Sequence, residues 1–146
     1  MLRRLVVGFD GTQDARAALR LALELAGCTG GEVAVIAVVP ESHGETPADR
    51  HAAFEADAAT LREQAHEVLA PRPEPTVRVT VEALRGDHPG QTLRAFAAQG
   101  GYDLVVVGRH GRGRAVHGGL GRVARELAER AGCPVLVVSR QDAPPG

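Results

Sequence analysis

Aromatic side chains are scarce in this 146-residue sequence, which has no tryptophan, one tyrosine and three phenylalanines. Proteins that hold single-stranded nucleic acid without sequence preference stack bases on aromatic rings, so that class is disfavoured. No sign of charge dominates either: 17 Lys and Arg stand against 18 Asp and Glu, a net charge of −1. Without a basic excess, no nucleic-acid partner is expected. Cysteine is rare, with only Cys28 and Cys133. Two are too few for a disulfide framework, and their spacing fits no zinc motif. Long apolar runs are missing as well, so no membrane span is expected. The first apolar run, in "MLRRLVVGFDG", is cut short by Asp10. A secretory leader needs a longer apolar segment and a small-residue cleavage site, so a cytoplasmic location is the expectation.

The sequence does contain short Val-rich runs separated by helical patterns. "RLVVGF" at 4–9 reads as a strand and ends in a turn at "DGT". Leu19, Ala22, Leu23 and Ala26 then recur at i, i+3, i+4 and i+7, one face of a helix over 14–26. Thr12 suits its N-cap and Gly27 its stop. "EVAVIAVV" at 32–39 is apolar on both faces, as in a buried parallel strand. An Ala-rich helix is expected over 50–70, with Phe54, Ala58, Leu61, Ala65 and Leu69 as its buried stripe. The prolines of "PRPEP" at 71–75 forbid regular structure. "TVRVTVEA" at 76–83 alternates strictly and reads as a half-exposed edge strand, with Arg78, Thr80 and Glu82 outward. A helix over 90–99, a buried strand over 103–107, a helix over 119–131 and a last strand over 134–138 complete the chain.

Strict alternation of strand and helix implies an α/β domain with an open, doubly wound, five-stranded parallel sheet and helices on both faces. One domain is expected over 1–139, with a disordered tail at 140–146. With 76–83 at an edge, the strand order is predicted as 3-2-1-4-5. Ligands of such sheets sit at the carboxyl ends of the strands where the order reverses. That places the "FDGTQD" loop beside "VVVGRHGRGRAVHGGLGR" at 105–122. Right-handed crossovers put the first and fourth helices on opposite faces, so Cys28 and Cys133 are not expected to pair.

Six glycines fall between Gly108 and Gly121. Glycine lets main chain approach a ligand closely, and the stretch runs into a helix whose free N–H groups suit phosphate. Composition alone allows a solvated basic loop equally well. The Walker pattern fails because Arg114-Ala115 follows Gly113, and no dinucleotide fingerprint follows the first strand.

Gly108, Gly111 and Gly121 do fit G-x2-G-x9-G, and with "VVGFDGTQDARAAL" and "GCPVLVV" the chain resembles the universal stress protein family over nearly its whole length. The resemblance implies an ATP-binding regulatory protein that is not an enzyme, leaving room for slow incidental hydrolysis. In ATP-binding members the first-loop aspartate lies beside the adenosine, which implies Asp10. The end of the second strand meets adenine, which implies Val38. The loop after the fourth strand wraps ribose and phosphates, which implies Val107, Gly108, His110 and Gly111. The final glycine and its successors hold phosphates through N–H groups, which implies Gly121, Arg122 and Val123. The resemblance also implies a homodimer through 135–138 and an unidentified protein partner. No metal site is expected; Asp10 is at most a weak magnesium candidate beside the phosphates.

The family pattern has Ser or Thr after the last glycine, where this chain has Arg122. A guanidinium either crowds the phosphate position or replaces the hydroxyl as a bidentate phosphate ligand. The first outcome would leave a family member without ATP, working as an interaction module. His117, Arg112 and Arg114, inside the x9 span, are expected to be solvated.

Overall fold

Val-rich runs bury best when covered on both sides, and the chain arranges them so. The computed structural model describes residues 2–41, 44–70, 77–111 and 120–140. These form β1 (Arg4–Gly8), α1 (Gln13–Thr29), β2 (Glu32–Val39), α2 (Pro47–Leu69), β3 (Arg78–Arg85), α3 (Pro89–Gly100), β4 (Leu104–Gly108), α4 (Arg122–Arg130) and β5 (Val135–Val138). The strands are all parallel in the order β3-β2-β1-β4-β5, as the sequence predicts.

Successive residues of a strand face opposite sides, and the two cores follow that alternation. Leu5, Val7, Val33 and Val35 pack under Ala18, Leu19 and Ala22 of α1 and Ala65 and Val68 of α2. Val6, Ala34, Ile36, Val105 and Val107 pack under Leu93 and Ala97 of α3 and Ala124 and Leu127 of α4. A fully buried leucine such as Leu19, at 0% exposure, contributes about 1.5–3 kcal/mol. Cys28 lies exposed within α1, while Cys133 packs on the α3–α4 side, and both are free thiols.

The capping residues set the helix starts. Thr12 accepts the N–H of Ala15 at 3.2 Å, and Thr46 accepts that of Asp49 at 3.1 Å. With Pro47 at the first position, α2 begins three residues before the expected start at 50. Gly27 does not stop α1, because an exposed glycine inside a helix costs only about 1 kcal/mol. The stop is Gly30, with a left-handed φ of 67°. Val68 rather than Leu69 completes the buried stripe of α2. β3 is the edge strand, with Arg78, Thr80 and Glu82 exposed. The expected linker at 71–75 lies outside the described residues.

Candidate functional site

The strand order reverses between β1 and β4, and the loops leaving those two strands meet there. The turn after β1 is fixed by its own side chains. Asp10 Oδ1 accepts the Thr12 N–H at 3.1 Å and the Thr12 hydroxyl at 2.6 Å. Gly11 has a φ of +81°, and a Cβ there would run into the Gln64 side-chain amide from α2. Gln64 Oε1 is buried against this turn without a hydrogen-bond partner.

The motif glycines hold the loops together. A Cβ on Gly108 would lie 2.8 Å from the Asp14 carbonyl carbon and 2.9 Å from the Ala15 nitrogen, so the end of β4 rests on the first turn of α1. A Cβ on Gly111 would lie 3.0 Å from Asp10 Oδ2. A Cβ on Gly121 would lie 3.0 Å from the Arg109 carbonyl oxygen and 3.3 Å from both the Gly111 nitrogen and the His110 Cα. The Gly121 N–H donates to that carbonyl at 2.8 Å. Gly108 and Gly121 thus admit main chain where a side chain would stand, and Gly111 admits the Asp10 carboxylate. The β1 turn, the loop after β4 and the start of α4 therefore meet closely, and the candidate crevice is the place where they meet.

Other expected residues meet this crevice in different ways. Val107 is buried and Val123 is packed against the α3–α4 core, so only their main chain is available to a ligand. Val38 lies at the carboxyl end of β2, opposite Leu84 of β3, with Cγ1 3.5 Å from a Cβ position on Gly86. Arg122 opens α4 and is exposed; Gly121, its N-cap, provides no side-chain cap. Among the described residues no group of three His, Cys, Asp or Glu side chains is placed to hold a metal ion. Arg112, Arg114 and His117 lie outside the described residues.

Asp14 is the residue that the sequence reading missed. Its side chain is 14% exposed. Oδ2 accepts the His110 N–H at 3.1 Å and lies 3.3 Å from His110 Nδ1, while Oδ1 accepts the Arg140 N–H at 2.9 Å. An acidic residue in the first turn of a helix looks like an ordinary dipole partner, and no spacing in the sequence ties position 14 to 110 and 140.

These observations agree with sequence and structural comparisons. A sequence model described as the universal stress protein family matches residues 1–139. The chain belongs to the universal stress protein family. Universal stress proteins of Mycobacterium tuberculosis and Mycobacterium bovis are 49% identical to it over 41 residues, 28% of this chain and 14% of theirs. The chain is thus aligned with only a small part of those curated relatives. Among solved structures, the universal stress protein UspA from Lactobacillus plantarum has a TM-score of 0.76 at 23% identity, covering 94% of this chain and 97% of that one. A universal stress protein in complex with cAMP has a TM-score of 0.66 at 19% identity, over 95% and 98% of the two chains. A family protein from Arabidopsis thaliana with AMP bound has a TM-score of 0.63 at 18% identity, over 95% and 92%.

The amino end of the sheet differs in kind. A cavity of about 490 Å³ there is lined by Arg3, Arg4, Glu32, Arg78 and Asp103, among others. Two of these side chains form an ion pair, and Asp103 is bonded to main chain. Arg4 pairs with Glu32, stacks 4.4 Å over the Tyr102 ring and donates to the Gly100 carbonyl at the end of α3. The bond to Glu32 raises the Arg4 pKa further. Asp103 Oδ2 accepts the N–H groups of Arg4 at 2.9 Å and Arg3 at 3.1 Å, and these bonds hold its carboxyl below the usual aspartate range.

Proposed function

We propose that this universal stress protein binds ATP in the glycine-rich crevice and acts as a nucleotide-dependent regulatory protein without an enzymatic role of its own. The observation that carries the reading is the meeting of Gly111 and Gly121 beside Asp10, at the point where the strand order reverses. Residues Asp10, Val38, Val107, Gly108, His110, Gly111, Gly121, Arg122 and Val123 would form the site. Asp10 would face the nucleoside, and the main chain of Gly121–Val123 would hold phosphate. Structures of similar fold carrying cAMP and AMP support a nucleotide ligand.

The placement of the Arg122 side chain bears on the two readings of the departure from Ser or Thr. Crowding needs its side chain inside the crevice. It is exposed instead, and the space beside Gly121 is filled by main chain. This favours replacement, in which the guanidinium meets phosphate from outside. Nothing in the geometry singles out Asp10 for magnesium, since Thr12 occupies one of its oxygens. We propose in addition that the protein is cytoplasmic and pairs as a homodimer along 135–138, where β5 presents an open edge. Among the described residues no helix is long and apolar enough to cross a membrane.

The test is the nucleotide content of the purified protein after denaturation, followed by calorimetric titration of ATP into stripped protein beside Arg122→Ser. Stoichiometric ATP, or binding by the wild-type chain that Arg122→Ser weakens by about tenfold through loss of a charged hydrogen bond, supports the reading. An empty protein that binds only as Arg122→Ser would establish the interaction-module alternative.

A further inference from the structure

The Asp14 carboxylate joins two segments with different roles. His110 and Gly111 belong to the crevice. Arg140 belongs to the chain leaving β5, the open edge strand. One rigid, largely buried group accepts an N–H from each, at 3.1 Å from His110 and 2.9 Å from Arg140. Turning or shifting the carboxylate to suit one donor alters its bond to the other. We propose that Asp14 is a positioning and coupling residue, a clasp through which the state of the crevice loop is felt at the exit of the edge strand.

Three features support the clasp. First, its bonds are charge-assisted, the stronger class of hydrogen bond. Secondly, Gly108 rests directly on the Asp14 main chain, so the carboxylate cannot move away without disturbing the end of β4. Thirdly, the ladder between β4 and β5 already runs on through Arg109 N–H to the Val138 carbonyl at 2.8 Å. Asp14 extends that tie by one residue on the loop and two on the strand side, beyond the reach of the ladder. The two arrangements are a closed clasp and one in which water takes one of the oxygens. A ligand that favours the closed loop would then order residues around 140, and by reciprocity anything that orders residue 140 would favour the ligand. The inference rests on the proposed nucleotide site only for the identity of that ligand.

Among the described residues, the His110 imidazole faces the clasp, with Nδ1 3.3 Å from Asp14 Oδ2. The decisive experiment leaves both His110 and Asp14 in place. Arg140→Pro removes the donor N–H, whereas Arg140→Ala keeps it and removes only the side chain. Amide hydrogen exchange is followed at His110 in the protein without nucleotide. A coupling between two sites corresponds to about fivefold or more. The clasp therefore predicts that His110 exchanges about fivefold or more faster in Arg140→Pro and within about twofold of wild type in Arg140→Ala. Equal behaviour of the two variants overturns it.

Asp14→Asn provides a second reading, since the amide keeps one acceptor oxygen but loses the charge. Both His110 and Arg140 amides should shift upfield and exchange faster together; a change at His110 alone overturns the coupling. With saturating ATP, the Arg140 amide of the wild-type chain should slow, and bound ATP without that effect overturns the coupling too. Absence of any ATP binding would instead count against the nucleotide site, leaving the comparison of Arg140→Pro with Arg140→Ala valid.

Discussion

The two ends of the sheet are built from the same materials and do different things with them. At the amino end, an ion pair stands beside a carboxylate bonded to main chain. Arg4 meets Glu32, and Asp103 meets the N–H groups of Arg3 and Arg4. At the carboxyl end, Asp10 and Asp14 are spent on loop N–H groups and a hydroxyl, and Arg122 is left exposed. The amino end has a cavity of about 490 Å³. The carboxyl end has three glycines, Gly108, Gly111 and Gly121, through which the β1 turn, the loop after β4 and the start of α4 come together. A ligand site in a parallel sheet is better recognised by where backbone donors converge than by open volume.

The largest effects should come from glycines at either end. Gly31 has its Cβ position against the Arg3 carbonyl, which also accepts the Glu32 N–H at 2.7 Å. Gly31→Ala therefore forces main chain apart and should cost about 1–3 kcal/mol by denaturant unfolding. Affinity for ATP per folded molecule should stay within about twofold, since the change is remote from the crevice and distant sites act independently. Gly121→Val should cost a similar amount of stability. It should also weaken ATP by tenfold or more in calorimetry, because a 1.4 kcal/mol disturbance of the site is already tenfold. If Gly31→Ala weakened ATP as much as Gly121→Val, the division between the ends would be broken.

A smaller effect separates the ends by pH. The Asp103 carboxyl is held below its ordinary value, so its stabilising contribution is complete above about pH 4, the unfolded value. It is lost as pH falls through the lower folded value. Asp103→Asn should therefore be less stable than wild type at pH 6, with the gap closing as the medium is acidified below pH 4. The urea midpoint of both proteins from pH 6 to pH 2 measures it. A gap that stays constant over that range would show that the charge on Asp103 does not contribute. ATP affinity near neutral pH should be unchanged by this substitution.

The smallest expected effect concerns the thiols. Burial pushes the Cys133 thiol up, and Cys28 is exposed. Thiolate is the reactive form. A thiol reagent at pH 8 should modify Cys28 first and Cys133 in a distinct slower phase. Cys28→Ser should remove the fast phase only; loss of both phases would contradict the assignment.

How much of this was legible in the sequence follows from which interactions are local. Valine runs and the alternation at 76–83 fix strands and the edge because burial patterns repeat with a short period. Thr12 was legible as a cap because its partner is three residues away. The sequence points to Gly27 and not Gly30 as the stop of α1, because both suit a helix end and only the tertiary fit chooses between them. The glycine spacing pointed to Gly108, Gly111 and Gly121, yet their use was hidden. They make room for Asp14, Asp10 and the Arg109 carbonyl, respectively. Asp14 was illegible altogether, since its partners lie 96 and 126 positions away. Of the tail expected at 140–146, only Arg140 lies within the described residues, and its N–H is bonded to Asp14.

The central claim is that the glycine-rich carboxyl end, and not the cavity at the amino end, takes the nucleotide. The most direct measurement is calorimetric titration of ATP into nucleotide-stripped wild type, Gly121→Val and Gly31→Ala, each shown to be folded. The account predicts one ATP per chain for wild type and Gly31→Ala, and at least tenfold weaker binding for Gly121→Val. Undiminished binding by Gly121→Val, or no binding by the wild-type chain, would contradict it.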